Sequence, residues 1–290
     1  MTDINARVWP RALPALVTPF GSDGEIDFEA HAHNVTTVAA RGGGGILIAG
    51  STGEGPYLEP GERAALVDTA RNADPSMFII TGVHAESLRQ ASAGVAECAH
   101  SDAALVVTPT SLVRRNDEAI TEFYAELAER CPVPLLLYSV PSVTDYELPI
   151  ASVIELAYHP NIVGMKDSGG DPTRLPHLSD AIAAGFTVYA GASKALHDSA
   201  ANGAWGAITA TGNYALTDVS LATRQDAKAQ QRLTALASVV EAYGVAGTKA
   251  AAQVSGLEAG HMRRPLSRVD ETAFAEISEA LTAAGLASSE

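Results

Sequence analysis

"VPLLLYSVPSVTDYELPIASVIELAYHPNIVGMKD", Val133 to Asp167, holds two apolar runs separated by one amphipathic segment. The runs, "VPLLLYS" from Val133 and "NIVGMKD" from Asn161, are short, nearly continuous and rich in Leu, Ile and Val, the pattern of strands buried on both faces. Between them "PIASVIELAYH" places its apolar residues at helical spacing and opens on a proline suited to a first turn. Such a unit predicts two parallel strands joined by a crossover helix.

The unit recurs through the 290-residue chain. Further strand-like runs are "ALPALVTPF" from Ala12, "GILIAG" from Gly45, "MFIITGV" from Met77, "AALVVTP" from Ala103, "FTVYAGA" from Phe186 and "WGAITAT" from Trp205, which brings the total to eight. "DFEAHAHNVTTVAAR", "PGERAALVDTARN", "SLRQASAGVAECAH" and "NDEAITEFYAELAER" read as helices, several opening on a capping residue. Eight such units predict an α/β fold of the closed (β/α)₈ kind, a TIM barrel. A doubly wound open sheet is the alternative, weakened because no G-x-G-x-x-G follows the first strand. After about Thr223 the strand pattern stops, and "AKAQQRLTALASVVEAYG", "GTKAAAQVSG" and "DETAFAEISEALTAAGL" are helical in pattern. Residues 1–223 are therefore read as the barrel with the active site, and 224–290 as a helical extension packed on it.

Composition excludes several function classes. The chain is 47% hydrophobic and 18% charged, with its apolar residues in short runs instead of one span of the roughly 18 that a membrane helix needs. Acidic residues outnumber basic ones 34 to 19, a net charge of -15, with no cluster of Lys and Arg to hold phosphates, so no nucleic acid is expected. The N-terminal segment lacks a signal-peptide pattern, and Cys98 and Cys131 are too few for a disulfide framework or a zinc site, which predicts a cytoplasmic protein. His31 and His33, two apart in a predicted helix, point to different sides and are not expected to share a metal.

In a (β/α)₈ barrel the chemistry sits at the C-terminal ends of the strands. Lys166 closes one strand and Tyr138 closes the one before it. Strand alternation places Lys166 on one face with Gly164 and Ile162, the glycine leaving room for the lysine side chain. An amine inside an apolar barrel loses its proton more readily than one in water and becomes the nucleophile that a Schiff base with a 2-oxo acid requires. The plainer reading is a lysine that reaches solvent or pairs with Asp167. "GSTGEGPYL", Gly50 to Leu58, follows the second strand; Gly50 and Gly53 let the backbone turn, and Ser51 and Thr52 add hydroxyl donors suited to a carboxylate.

Taken in order and spacing, "GSTGE", "YSVPS" and "GMKDSGGD" resemble the pyruvate-dependent class I aldolases of the dihydrodipicolinate synthase and N-acetylneuraminate lyase superfamily. The resemblance runs from "LVTPF" at Leu16 to "RRPL" near Arg263, and "LLLYSVPSVTDYELP" with "HPNIVGMKDSGGDPTRL" is most similar to 4-hydroxy-2-oxoglutarate aldolase. It implies that Lys166 forms the imine, that Tyr138 shuttles the proton of C–C cleavage, and that Ser51 and Thr52 grip the pyruvyl carboxylate, with Gly50, Gly191 and Ile208 also at the substrate. It implies no metal or organic cofactor beyond the covalent imine, a small 2-oxo acid as substrate, and a homotetramer.

Several positions depart from that pattern. Thr110, Ser111 and Leu112 stand where the superfamily carries a tyrosine pair, one of which completes a proton relay across a subunit interface; Thr110 or Ser111 is a candidate to hold a relay water instead. Val143 replaces the arginine that binds the aldehyde carboxylate in dihydrodipicolinate synthases, and Ala192 and Ser193 replace the acidic residues that hold sugar hydroxyls in sialate lyases. His84, where relatives carry a small residue, is either a relay imidazole titrating near neutrality or a surface histidine. Arg114 and Arg115 are candidates for a second substrate carboxylate or solvated loop residues. The expected activity is cleavage of a short 4-hydroxy-2-oxo acid to pyruvate and an aldehyde. A 2-oxo acid dehydratase or hydratase-aldolase, and a non-catalytic 2-oxo acid binding barrel, are the alternatives.

Overall fold

A computed structural model describes residues 8–113 and 116–288. Eight strands, β1 (Ala12–Pro14), β2 (Gly45–Ile48), β3 (Phe78–Val83), β4 (Ala103–Val107), β5 (Leu135–Ser139), β6 (Ile162–Asp167), β7 (Thr187–Ala190) and β8 (Gly206–Thr209), pair in parallel in the order β1-β8-β7-β6-β5-β4-β3-β2. The ring is closed between its two ends by a parallel bridge from Ala15 to Leu47. This is the (β/α)₈ barrel that the alternating pattern predicts.

The first strand is much shorter than its apolar run. Pro14 has no N–H for a ladder, and the amide side chain of Asn213 replaces strand partners further along, taking the Val17 N–H at 3.1 Å and giving its own to the Ala15 carbonyl at 2.7 Å.

The helices follow their capping signals. α1 (Phe28–Ala40), α3 (Leu88–Ala96) and α4 (Asp117–Ala128) start on Asp27, Ser87 and Asn116, each accepting a hydrogen bond from a first-turn N–H. α2 (Glu62–Ala73), the single turn α5 (Pro141–Thr144) and α6 (Ile150–Leu156) complete the first five crossovers. After β6 the crossover is mostly 3₁₀, Pro172–Leu178, because Pro176 denies an α-helix its hydrogen bond, before the short α7 (Ser179–Ala183). α8 (Leu196–Ala201) and α9 (Gly212–Ala222) were not distinct in the periodicity, being short or kinked.

Two apolar layers fix the barrel. Leu13, Leu47, Ile80, Leu105, Leu136 and Ile208 fill its interior. Val106, Leu135, Leu137, Met165 and Val188 face outward onto Ile120, Tyr124, Leu127, Val153 and Leu156 of the helices. The helical extension consists of α10 (Ala227–Val240), α11 (Gly244–Val254) and α12 (Glu271–Ala283), with α10 and α11 both packed on α9. No helix among the described residues is long and apolar enough to cross a membrane.

One expectation of strand geometry is corrected. Leu135 pairs with Ile162 but Leu136 pairs with Gly164, so the register skips Val163. The bulge changes the alternation: Ile162 packs in the outer layer, while Lys166 faces inward with Tyr138 beside it in register.

Candidate active site

Adjacent strands β5 and β6 end with Tyr138 and Lys166 paired across the sheet. Both are buried, at 4% and 5% exposure. The lysine Nζ lies 3.2 Å from the tyrosine hydroxyl and 4.4 Å from its ring centroid. Burial alone would raise the pKa of Tyr138, but the positive charge and hydrogen bond of Lys166, with the hydroxyls of Ser168 and Ser51, outweigh it and bring the phenol below the ordinary tyrosine value. An amine and an acidified phenol thus meet at the C-terminal mouth of the barrel.

The plainer reading of Lys166 does not hold. Asp167, the next residue along, points the other way and is taken by Arg174 at 3.2 Å and by the Gly169 N–H at 2.8 Å. Arg174 also pairs with Glu147 at 2.5 Å, so the carboxylate beside Lys166 belongs to an outer network.

Gly164 does not provide the space for the lysine. A Cβ there would lie 2.2 Å from the Thr187 carbonyl oxygen, so this glycine permits close approach of β7. The space comes from the residue just beyond the neighbouring strand: a Cβ on Gly191 would sit 2.8 Å from Lys166 Cε and 1.9 Å from Ser168 Oγ. Gly191 therefore contacts the Lys166 side chain. Ile208 lies in the interior cluster that contains Tyr138.

The loop after β2 brings Ser51 and Thr52 to the same mouth. Its glycines work by close approach, not by a special turn: a Cβ on Gly53 would meet the Leu16 carbonyl oxygen at 2.8 Å, and one on Gly50 would meet Leu47. The left-handed positions are instead Ala49, φ 55°, and Glu54, φ 56°. For residues with a Cβ this conformation is uncommon and needs outside support. Glu54 has it, because its buried carboxylate pairs with Lys249 of α11 at 2.5 Å and accepts the Arg263 N–H at 2.9 Å. Neither partner was recognised from sequence, although "GTKAAAQ" sets a single charge in an otherwise small and apolar helix.

His84 is the first residue beyond β3 and is not a surface histidine. Its Nε2 lies 3.2 Å from Ser51 Oγ, and its Nδ1 is buried with no hydrogen-bond partner among the described residues. Burial, with the charges of Arg63 and Lys166 nearby, lowers its pKa to about 3, so it does not titrate near neutrality. Thr110 and Ser111 are anchored differently from the sequence expectation, each donating its backbone N–H to Glu86 Oε2, at 3.1 and 2.9 Å. Arg114 and Arg115 lie outside the described residues.

Ser168 was missed in the sequence although it directly follows "MKD"; its hydroxyl helps to lower the pKa of Tyr138, and it packs on Gly191. Ser193 is buried, and its Oγ receives the Thr211 hydroxyl at 3.2 Å. Val143 is 67% exposed and brings no charge to the mouth. His31 is buried with Nε2 on the Leu66 carbonyl, whereas His33 is exposed beside Thr37, so the two do point apart.

Comparison with known proteins agrees with this geometry. Residues 9–284 match the dihydrodipicolinate synthetase family. A 4-hydroxy-tetrahydrodipicolinate synthase of Acidiphilium cryptum is 32% identical over 95% of this chain and 98% of its own. A second, of Streptomyces coelicolor, is 31% identical over 93% and 92%. Among solved structures, the chloride-inhibited dihydrodipicolinate synthase of Acinetobacter baumannii, complexed with pyruvate, superimposes with a TM-score of 0.87 at 28% identity, covering 96% of this chain and all of that one.

Proposed function

The chain belongs to the dihydrodipicolinate synthetase family, and from that premise we propose that it is a Schiff-base class I aldolase that cleaves or forms 4-hydroxy-2-oxoglutarate, with pyruvate and glyoxylate as the other side of the reaction. The observation that carries the reading is the buried pair of Lys166 Nζ and Tyr138 hydroxyl, 3.2 Å apart.

Lys166 attacks the C2 carbonyl and water leaves, giving a protonated imine. Tyr138 takes the proton of the C4 hydroxyl as it gives up its own. The C3–C4 electron pair then becomes the C2–C3 double bond, the iminium nitrogen accepts the displaced pair, and the aldehyde departs from an enamine of pyruvate. Protonation at C3 and hydrolysis release pyruvate and free the lysine. Ser51, Thr52 and the N–H groups of the loop from Gly50 bind the C1 carboxylate in this scheme, and Gly191 and Ile208 border the substrate. No metal or organic cofactor enters any step.

Relatives named for dihydrodipicolinate synthesis suggest another aldehyde partner. Val143 argues against one whose carboxylate needs an arginine at that place, and Ala192 and Ser193 argue against a polyol. Arg114 or Arg115 is the proposed partner of the distal carboxylate. The exposed Leu112, in the loop after β4, and Val143, in α5, at 86% and 67%, are apolar side chains that a second copy would cover in the proposed homotetramer.

The test is incubation with pyruvate and borohydride followed by peptide mass analysis, with Lys166→Ala alongside. A pyruvyl adduct confined to the Lys166 peptide supports the proposal; folded wild-type protein without an adduct rejects it. Release of glyoxylate from 4-hydroxy-2-oxoglutarate, against formation of an unsaturated acid without aldehyde, separates an aldolase from a dehydratase.

A further inference from the structure

Both tryptophans of the chain, Trp9 before β1 and Trp205 before β8, stand at the N-terminal end of the barrel, opposite the mouth that holds Lys166. Trp9 plugs the floor, its ring 4.9 Å from that of Phe78 and 6.3 Å from that of Tyr189, and its carbonyl accepts the Trp205 indole N–H at 3.0 Å. Arg11 donates to the Trp205 carbonyl at 3.0 Å and lays its guanidinium 4.2 Å from the centre of the indole. Two cavities of about 920 and 550 Å³ flank this cluster and share Trp9, Arg11, Trp205 and Arg224 in their walls.

The two cavities differ in lining. The larger is apolar beyond the indole, with Ile182, Phe186 and Val188. The smaller is walled by the glycine run Gly42 to Gly44, by Arg41 and by the hydroxyl-bearing Thr217 and Ser220. A Cβ on Gly42 would meet nothing within 4 Å, and one on Gly44 only Pro10, at 3.9 Å, so the run leaves bare backbone that an anion can approach. Arg41 spends one N–H on the Ser255 carbonyl, and burial lowers its pKa with no carboxylate to offset the effect. Arg224 has no hydrogen bond or ion pair from its guanidinium among the described residues. Among those residues no Asp or Glu lines either cavity, in a chain whose acidic residues outnumber basic ones 34 to 19. Arg11, Arg41 and Arg224 form no cluster in the sequence; the fold gathers them.

We propose that the floor of the barrel binds a nucleoside phosphate, its base against Trp205 in the larger cavity and its phosphates beside the glycine run in the smaller one, held by Arg224 and Arg41. An indole presents a flat π-face to a base, and a guanidinium fork matches phosphate oxygens in pairs. A ligand with both parts uses the aromatic and the cationic cavity at once; an inorganic anion would use one, and an uncharged ring the other. Sites for ligands of this size occupy roughly 300–1,000 Å³. The site goes beyond the aldolase reading and does not depend on it, since Lys166, Tyr138, Ser51 and Thr52 line neither cavity.

Tryptophan fluorescence reads this site directly, because both tryptophans line it and the chain has no other. Full-length protein is titrated with ADP, adenosine and inorganic pyrophosphate, and binding is measured in parallel by equilibrium dialysis. ADP is expected to alter the fluorescence with a Kd of about 10–100 μM, and adenosine and pyrophosphate to bind at least about tenfold more weakly. Arg224→Gln, at an exposed position, is expected to weaken ADP by about tenfold or more through loss of a charge-assisted contact, whereas Arg89→Gln, which removes the same charge from exposed α3, leaves it within about twofold of wild type. No ADP bound at about 1 mM would overturn the proposal, as would equal affinity in Arg224→Gln and wild type. Pyrophosphate binding as tightly as ADP would leave an anion site with no place for the base and overturn the nucleoside. Loss of ADP binding in Lys166→Ala would put the nucleotide at the mouth of the barrel and overturn the floor site. None of these outcomes requires an imine at Lys166, so failure of the aldolase reading and failure of this one are separate results.

Discussion

Lys249 of α11 and Glu54 of the loop after β2 form an ion pair of 2.5 Å, with the carboxylate 1% exposed, between residues far apart in the chain. The pair ties the helical extension to the loop that carries Ser51 and Thr52, and it holds Glu54 in a left-handed conformation. Removing one partner leaves the other charge buried and alone. Lys249→Met is expected to lower stability by about 3–5 kcal/mol and to weaken pyruvate binding, while Glu54→Gln/Lys249→Met regains part of the loss. Urea denaturation and pyruvate titration measure both effects; additive losses in the double variant would show that the residues act independently.

Tyr138→Phe retains the ring beside Lys166 and deletes the hydroxyl. Borohydride trapping of pyruvate is expected to persist, whereas turnover falls about 10²- to 10⁴-fold. A variant with undiminished turnover would remove Tyr138 from the proton path.

Gly191→Ala and Gly164→Ala separate the two glycines. The added methyl at Gly191 collides with Ser168 and comes within 2.8 Å of Lys166 Cε, so a folded protein is expected in which adduct formation slows about 100-fold through displacement of the amine. At Gly164 the collision is with the backbone oxygen of Thr187, at 2.2 Å, and the expected result is a loss of about 1–3 kcal/mol of stability. Thermal melts and trapping rates of the two variants are the comparison.

His31 gives stability a pH dependence. Burial lowers its pKa from 6.5 to about 4 despite the hydrogen bond to Leu66. Between these values the unfolded chain binds a proton that the folded chain does not, so stability is lost as pH falls through this window, by about 1.4 kcal/mol per unit. His31→Gln keeps a donor for the Leu66 carbonyl and is expected to flatten the urea-denaturation profile between pH 6.5 and 4 by that amount. An unchanged slope would assign the acid sensitivity to other groups.

Local pattern by itself determined the barrel, because eight apolar runs and their intervening helices each bury a face with a short-range period. It also brought Lys166 and Tyr138 to the ends of consecutive strands, and the quoted motifs pointed to the loop of Ser51 and Thr52. Tertiary structure decided what no short window carries. The bulge at Val163 is a register between two strands, so alternation alone misplaced Ile162. The glycine that accommodates the lysine directly follows the next strand, because the space around a side chain is made by neighbours that the sheet brings beside it. Glu54 met Lys249, and Ser51 met His84, only once the ring had closed and the extension had docked. A sequence reveals the period with which a segment buries its own face; the partners of a buried charge or imidazole come from other segments, and folding alone brings them into contact.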